Sequence, residues 1–105
     1  MSDIVSMDAL ERIQTFVPVD GNWRPLDDLL GQLWVQPATL EWLPTLFSVF
    51  ERFPEDDGAG VMWSIVHGLE ATSLDYGPAL KASLVRRPSL MAKIMMDRLE
   101  RANAG

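Results

Sequence analysis

The one histidine of this 105-residue chain, His67, follows Trp63 by four residues and precedes Glu70 by three. On a helix turning about 100° per residue, those spacings set an imidazole between an indole and a carboxylate. Such a group can raise the imidazole's proton affinity and act as an acid–base pair of His67 and Glu70. The commoner use of the arrangement is an interior histidine hydrogen-bonded to its carboxylate, which is the expectation here. Metal chemistry would need further nitrogen or sulfur ligands, and there is neither a second histidine nor a cysteine. The missing cysteine also removes disulfides and thiol nucleophiles. Glu55-Asp56-Asp57-Gly58 lacks the ligand spacing of a calcium loop. Gly58-Ala59-Gly60 lacks the third glycine and the preceding strand of a phosphate loop. Adjacent carboxylates at Asp27/Asp28 and Asp56/Asp57 stand where helices should start, so they suit the helix dipole better than acid–base work. The sequence therefore predicts no catalytic residue, no cofactor and no metal site, and a protein that binds rather than converts.

The elements that must position these residues are helices punctuated by proline and glycine. A first helix is expected over Ile4–Thr15, with Asp3 as its cap and Ile4, Met7, Leu10, Ile13 and Phe16 as its stripe. Val17-Pro18-Val19-Asp20-Gly21-Asn22 ends it. A second helix starts near Pro25 and stops before Pro37. A third is expected over Ala38–Phe53 with Gln36 as a weak cap, kinked or divided at Pro44. Further helices follow over Ala59–Thr72, capped by Asp56 or Asp57, from Tyr76-Gly77-Pro78 to Arg86-Arg87, and from Pro88 to Asn103. No segment alternates as a half-buried strand would. The fold class is all-α, a single domain over residues 1–105 of five to six short helices in antiparallel pairs, with a helix and loop over 1–22 and a helical core over 23–103. The helix holding His67 is expected to be central. Its Val61, Ile65 and Leu69 share one face, and Gly60, Ser64 and Gly68 form a smooth groove for a neighbouring helix.

Charge is unevenly spread. Thirteen acidic and three basic residues precede Gly77, and two acidic and six basic ones follow, for a net −6. An acidic chain is repelled by phosphate, which argues against nucleic acid as a partner. One end should carry a negative field from Asp20, Asp27, Asp28, Glu41, Glu51, Glu55, Asp56, Asp57, Glu70 and Asp75, able to steer a basic protein partner. Arg86-Arg87 is read as a complement to a helix C-terminus. Trp34, Trp42 and Trp63 are expected in the core. Trp23, in a loop, is a better candidate than those three for a partly exposed partner anchor, with closure of the core still slightly favoured for it. Together Trp23, Asp27, Asp28, Glu51, Glu55, Asp56, Asp57 and Asp75 form the candidate contact set. No apolar run approaches spanning length and no export signal opens the chain, so a cytoplasmic location away from the membrane is expected.

The segment from Leu46 to Glu70, LFSVFERFPEDDGAGVMWSIVHGLE, resembles small all-α bacterial immunity proteins of polymorphic toxin systems. Tyr76, Leu80, Ser83, Arg87-Pro88 and Arg98-Leu99 fit the same pattern, so the resemblance covers about Trp42 to Arg101. It implies a specific antidote that binds a cognate toxin domain and blocks its active site or substrate groove. Many such toxins are nucleases with basic grooves, which an acidic face can occupy in place of phosphate. A helical adaptor that binds a basic, non-toxic protein is the alternative.

Overall fold

Prolines and left-handed residues cut the chain where the sequence marks them. The structure, a computed structural model, describes residues 2–104, with side chains from Ala9 onward. Among the described residues there are six helices: α1 (Ser2–Thr15), α2 (Arg24–Trp34), α3 (Trp42–Arg52), α4 (Met62–Ala71), α5 (Gly77–Arg86) and α6 (Leu90–Ala104). The all-α expectation holds. The Asp3 cap and the Ile4 and Met7 positions lie outside the described side chains. The rest of the α1 stripe is as expected, with Ile13 and Phe16 buried and Leu10 packed against the core. No helix among the described residues is long and apolar enough to cross a membrane.

Pro44 neither kinks a helix nor divides one. It is the third residue of α3, in the first turn, where backbone N–H groups have no helical acceptor. A helix begun at Ala38 would have asked the Pro44 nitrogen to donate to Leu40, which proline cannot do. The chain instead passes through turns, with the Trp42 N–H bonded to Thr39 O at 3.1 Å and the Leu43 N–H to Leu40 O at 3.1 Å. Gln36 is accordingly not a cap. Glu41 holds that position without a side-chain bond.

The central helix is α3, not α4. Trp42, Leu43, Leu46, Phe47, Val49 and Phe50 are all buried, and α3 packs on α1, α5 and α6. Helix α4 buries only Met62, Ile65, Val66 and Leu69, against α2 and α6. Of the three small residues expected to form a groove, Gly60 lies ahead of α4 with nothing within 4 Å of an added Cβ, and Ser64 and Gly68 meet one neighbour. Gly68 takes the Trp34 ring of α2, and the Ser64 hydroxyl lies 3.4 Å from Asp27 Oδ1. Of the expected consecutive pairs, α1/α2 and α5/α6 pack together, while α3 and α4 pack chiefly on other helices.

Three ties across the sequence fix these packings. Glu51 of α3 accepts from the Ser83 hydroxyl at 2.8 Å and from Arg86 Nε at 2.9 Å in α5. Glu70 of α4 accepts from Arg98 Nε and a second guanidinium nitrogen of α6, at 2.8 and 2.9 Å. Arg52 donates to the carbonyls of Phe16 and, at 2.9 Å, Ile13. Its guanidinium carbon lies 5.5 Å from the Phe53 ring centre. A cation on the C-terminal carbonyls of α1 opposes their partial negative charge. The acidic first part of the chain thus docks on its basic last part through bidentate carboxylate–guanidinium pairs.

Candidate partner-binding site

The end of the molecule closed by Trp23 gathers most of the exposed acidic candidates. Asp20 and Gly21, with φ of 53° and 74°, reverse the chain so that the Asn22 N–H bonds Val19 O at 3.0 Å. Two central residues in the left-handed region fit a tight type I′ turn. Asn22 Oδ1 then accepts the Arg24 N–H at 3.2 Å at the start of α2. On the other side, Asp56 Oδ1 accepts the Gly58 N–H at 2.9 Å. Gly58, Ala59 and Gly60 follow with φ of 63°, 53° and 91°. The loop must pass close to Trp23, because a Cβ on Gly58 would lie 3.0 Å from that indole.

This left-handed run overturns the expected cap. Helix α4 starts at Met62 with Val61 before it and no side-chain cap bond. Neither Asp56 nor Asp57 caps it. The Asp57 carbonyl takes the Gly60 and Met62 N–H groups at 3.2 and 3.1 Å instead. The carboxylates of Glu55, Asp56 and Asp57 are exposed on the loop ahead of the helix. Asp27 and Asp28, also exposed, stand in the first two turns of α2, and Asp27 faces Ser64 of α4. Val17 and Val19, 63% and 72% exposed, lie on the strand of chain leading to Trp23. The sequence reading did not single them out. Arg24 is an exposed cation in the same neighbourhood.

Three expected contact residues do not join this group. Trp23 is 6% exposed and is no free anchor. Its rings sit 5.7 Å from Phe16 and 5.0 Å, edge-on, from Phe53, so its apolar area closes the core. Glu51 has its carboxylate committed to Ser83 and Arg86. Arg86 above all, with Ser83 assisting, holds that carboxyl below its ordinary pKa against the opposing effect of burial. Asp75 is exposed but follows the C-terminal end of α4, while Asp57 precedes the N-terminal end. A ten-residue helix separates them by about 15 Å. Glu70, part of the expected negative field, is likewise bound to Arg98, which lowers its pKa.

His67 is not interior. Its side chain is 63% exposed and its Nδ1 is 3.9 Å from Glu70 Oε1, beyond hydrogen-bond reach. The imidazole stacks on Trp63 at 5.7 Å and 27° between planes. Arg98 donates to both carboxylate oxygens of Glu70. Trp63 itself is half-buried, as is Trp34, and both pack against the core. No group of three His, Cys, Asp or Glu residues that could hold a metal ion occurs among the described residues.

Comparison of the chain with family models, with curated proteins and with solved structures gives no match.

Proposed function

We propose that this chain is a non-enzymatic binding protein whose acidic end docks on a basic protein surface, and that the partner is a toxin domain which it neutralises. The observation that carries the binding role is the set of exposed carboxylates, Asp27, Asp28, Glu55, Asp56 and Asp57, on the start of α2 and on the loop that packs against the buried Trp23. None of the five is in an ion pair among the described residues, unlike Glu51 and Glu70. Unpaired carboxylates on a fixed scaffold attract lysine and arginine and keep the wrong, acidic, partners away. Exposed Val17 and Val19 beside them supply apolar contact of the kind that fills the middle of an interface. The toxin identity of the partner rests on the resemblance of residues 46–70 to immunity proteins. In that reading the acidic end occupies a groove that would otherwise hold phosphate, and the encounter takes place in the cytoplasm.

Co-expression tests it. The protein encoded beside this chain is produced in a bacterial host with and without the chain, and growth is followed. Toxicity relieved only when this chain is present supports the antidote. A neighbour without toxicity, or toxicity the chain does not relieve, transfers the acidic end to an adaptor role.

A further inference from the structure

A face that shares Glu55 with the acidic end brings charges of both signs together without an ion pair between them. Pro54, Glu55, Arg87, Pro88, Leu90 and Lys93 line a hollow of about 550 Å³. Its two walls are tied by the Leu90 N–H, which donates to Pro54 O at 2.7 Å. Ser89 is buried beneath, accepting the Ala92 N–H as the cap of α6. Across the Pro54–Glu55 segment lies a smaller hollow of about 280 Å³, bounded by Phe53 and Asp56. Pro54 and Glu55 border both hollows, and Glu55 lines the larger one together with Arg87 and Lys93. Glu55, Arg87 and Lys93 are exposed. The ion pairs among the described residues are Glu51–Arg86, Glu70–Arg98, Asp97–Arg101 and the longer His67–Glu70 contact, so these three charges take no part in them. Leu90, 45% exposed, and the two prolines give the hollow an apolar floor.

Such a face is its own complement. Across a two-fold axis each residue i meets j while j meets i, so a face carrying Glu55 beside Arg87 and Lys93 can pair each sign with the opposite one on a second copy. We propose that this face is a homodimer interface. The Pro54–Glu55 segment of each protomer packs on the hollow of its partner, placing the carboxylate of Glu55 against the Arg87 and Lys93 positions across the axis. Prolines and Leu90 exclude water between them. The chain's net −6 makes two copies repel at a distance. The dimer is therefore concentration-dependent, held by short-range pairing and apolar contact. This inference stands apart from the toxin reading. It concerns the isolated chain, although Glu55 and Asp56 cannot face a second copy and another protein at once.

Sedimentation velocity of the full chain over a ~100-fold concentration range tests it. A monomer–dimer equilibrium is expected. Arg87→Glu with Lys93→Glu should weaken it by ~10-fold or more through like-charge opposition. Arg24→Glu with Lys81→Glu changes net charge equally but lies outside the hollow, and should weaken it by only ~2-fold. Adding Glu55→Lys and Asp56→Lys to the first pair reverses both sides and should restore the dimer. All variants are checked for wild-type helical circular dichroism. A wild-type chain that sediments as monomer throughout overturns the proposal. So does equal weakening by the control pair, or a folded quadruple variant that stays monomeric.

Discussion

The indole of Trp34 stands where a side chain on Gly68 would begin. A Cβ at Gly68 would lie 2.3 Å from Trp34 Cζ2 and 2.5 Å from Cη2. The contact lets α2 cross α4 closely enough to bring Asp27 beside Ser64. Gly68→Ala should therefore cost about 1–3 kcal/mol of stability through overpacking, even though alanine is the better helix former. Gly31, in α2, has nothing within 4 Å of an added Cβ. Gly31→Ala should stabilise by about 0.5–1 kcal/mol. Urea unfolding of the two variants decides. Equal effects would mean the Trp34 ring yields and the approach is not tight.

The two carboxylate–guanidinium pairs make stability depend on pH in a stated direction. Glu51 and Glu70 are both lowered from the ordinary value of 4.5, chiefly by Arg86 and Arg98 respectively. A carboxyl with a lowered folded value binds its proton more readily when unfolded. Its contribution is therefore complete above 4.5 and fades as pH falls below it toward the folded value. The midpoint of thermal unfolding should drop below pH 4.5 in the wild type. In Glu51→Gln with Glu70→Gln the drop should be shallower. Parallel pH profiles would show that other groups carry the acid sensitivity.

Arg52 ties the C-terminal end of α1 to α3. Replacing it by methionine keeps the stem and removes the donors to Ile13 O and Phe16 O. The cost should be about 1–3 kcal/mol, that of leaving carbonyls unbonded in a part-buried site. Its Nε is buried with no partner, which trims the loss. Hydrogen exchange should quicken in α1 more than in α5, which Arg52 does not touch. Uniform quickening would show that Arg52 supports the whole core rather than this helix.

His67→Ala separates binding from proton transfer. The imidazole is exposed, stacks on Trp63 and has Glu70 Oε1 at 3.9 Å, beyond hydrogen-bond reach. The variant should keep its stability within about 0.5 kcal/mol, as surface changes do. It should also protect cells against the proposed toxin as the wild type does. Lost protection in a variant that folds normally would revive an acid–base role for His67.

What could be read ahead of the structure was local, and what could not was long-range. Proline, Asp20-Gly21 and Tyr76-Gly77-Pro78 act on neighbouring dihedrals, so α1, α2 and α5 begin and end within a few residues of expectation. Pro44 depends on where the helix before it starts, and neither Gln36 nor Glu41 offers a side-chain cap to say so. The fate of Glu51 is set by Ser83 and Arg86, 32 and 35 residues away, and that of Glu70 by Arg98, 28 away. A helical wheel orders Trp63, His67 and Glu70 around α4 but does not say which arc meets α2 and α6. The same blindness left Trp23 between closing the core and anchoring a partner. Phe16, Phe53 and Gly58 enclose it only once two distant loops meet.

The acidic end makes a kinetic prediction that the Glu51 and Glu70 pairs do not share. Charges on an open surface act mainly on association, because they bias the approach of a basic partner before any contact forms. Asp56→Asn with Asp57→Asn removes two exposed carboxylates, although Asp56 also accepts the Gly58 N–H. Asparagine keeps an oxygen for that bond, so the loop should hold its shape around Trp23. Association with the toxin proposed here should slow by ~10-fold at low salt, and the difference should shrink toward ~1 M salt as screening removes the field. Dissociation should change less. Asp75→Asn, at the far end of α4, is the matched control and should leave both rates near wild type. If the two variants behave alike, the partner does not approach over the Trp23 end. If Asp56 and Asp57 matter equally at all salt concentrations, they act as direct contacts and not through steering.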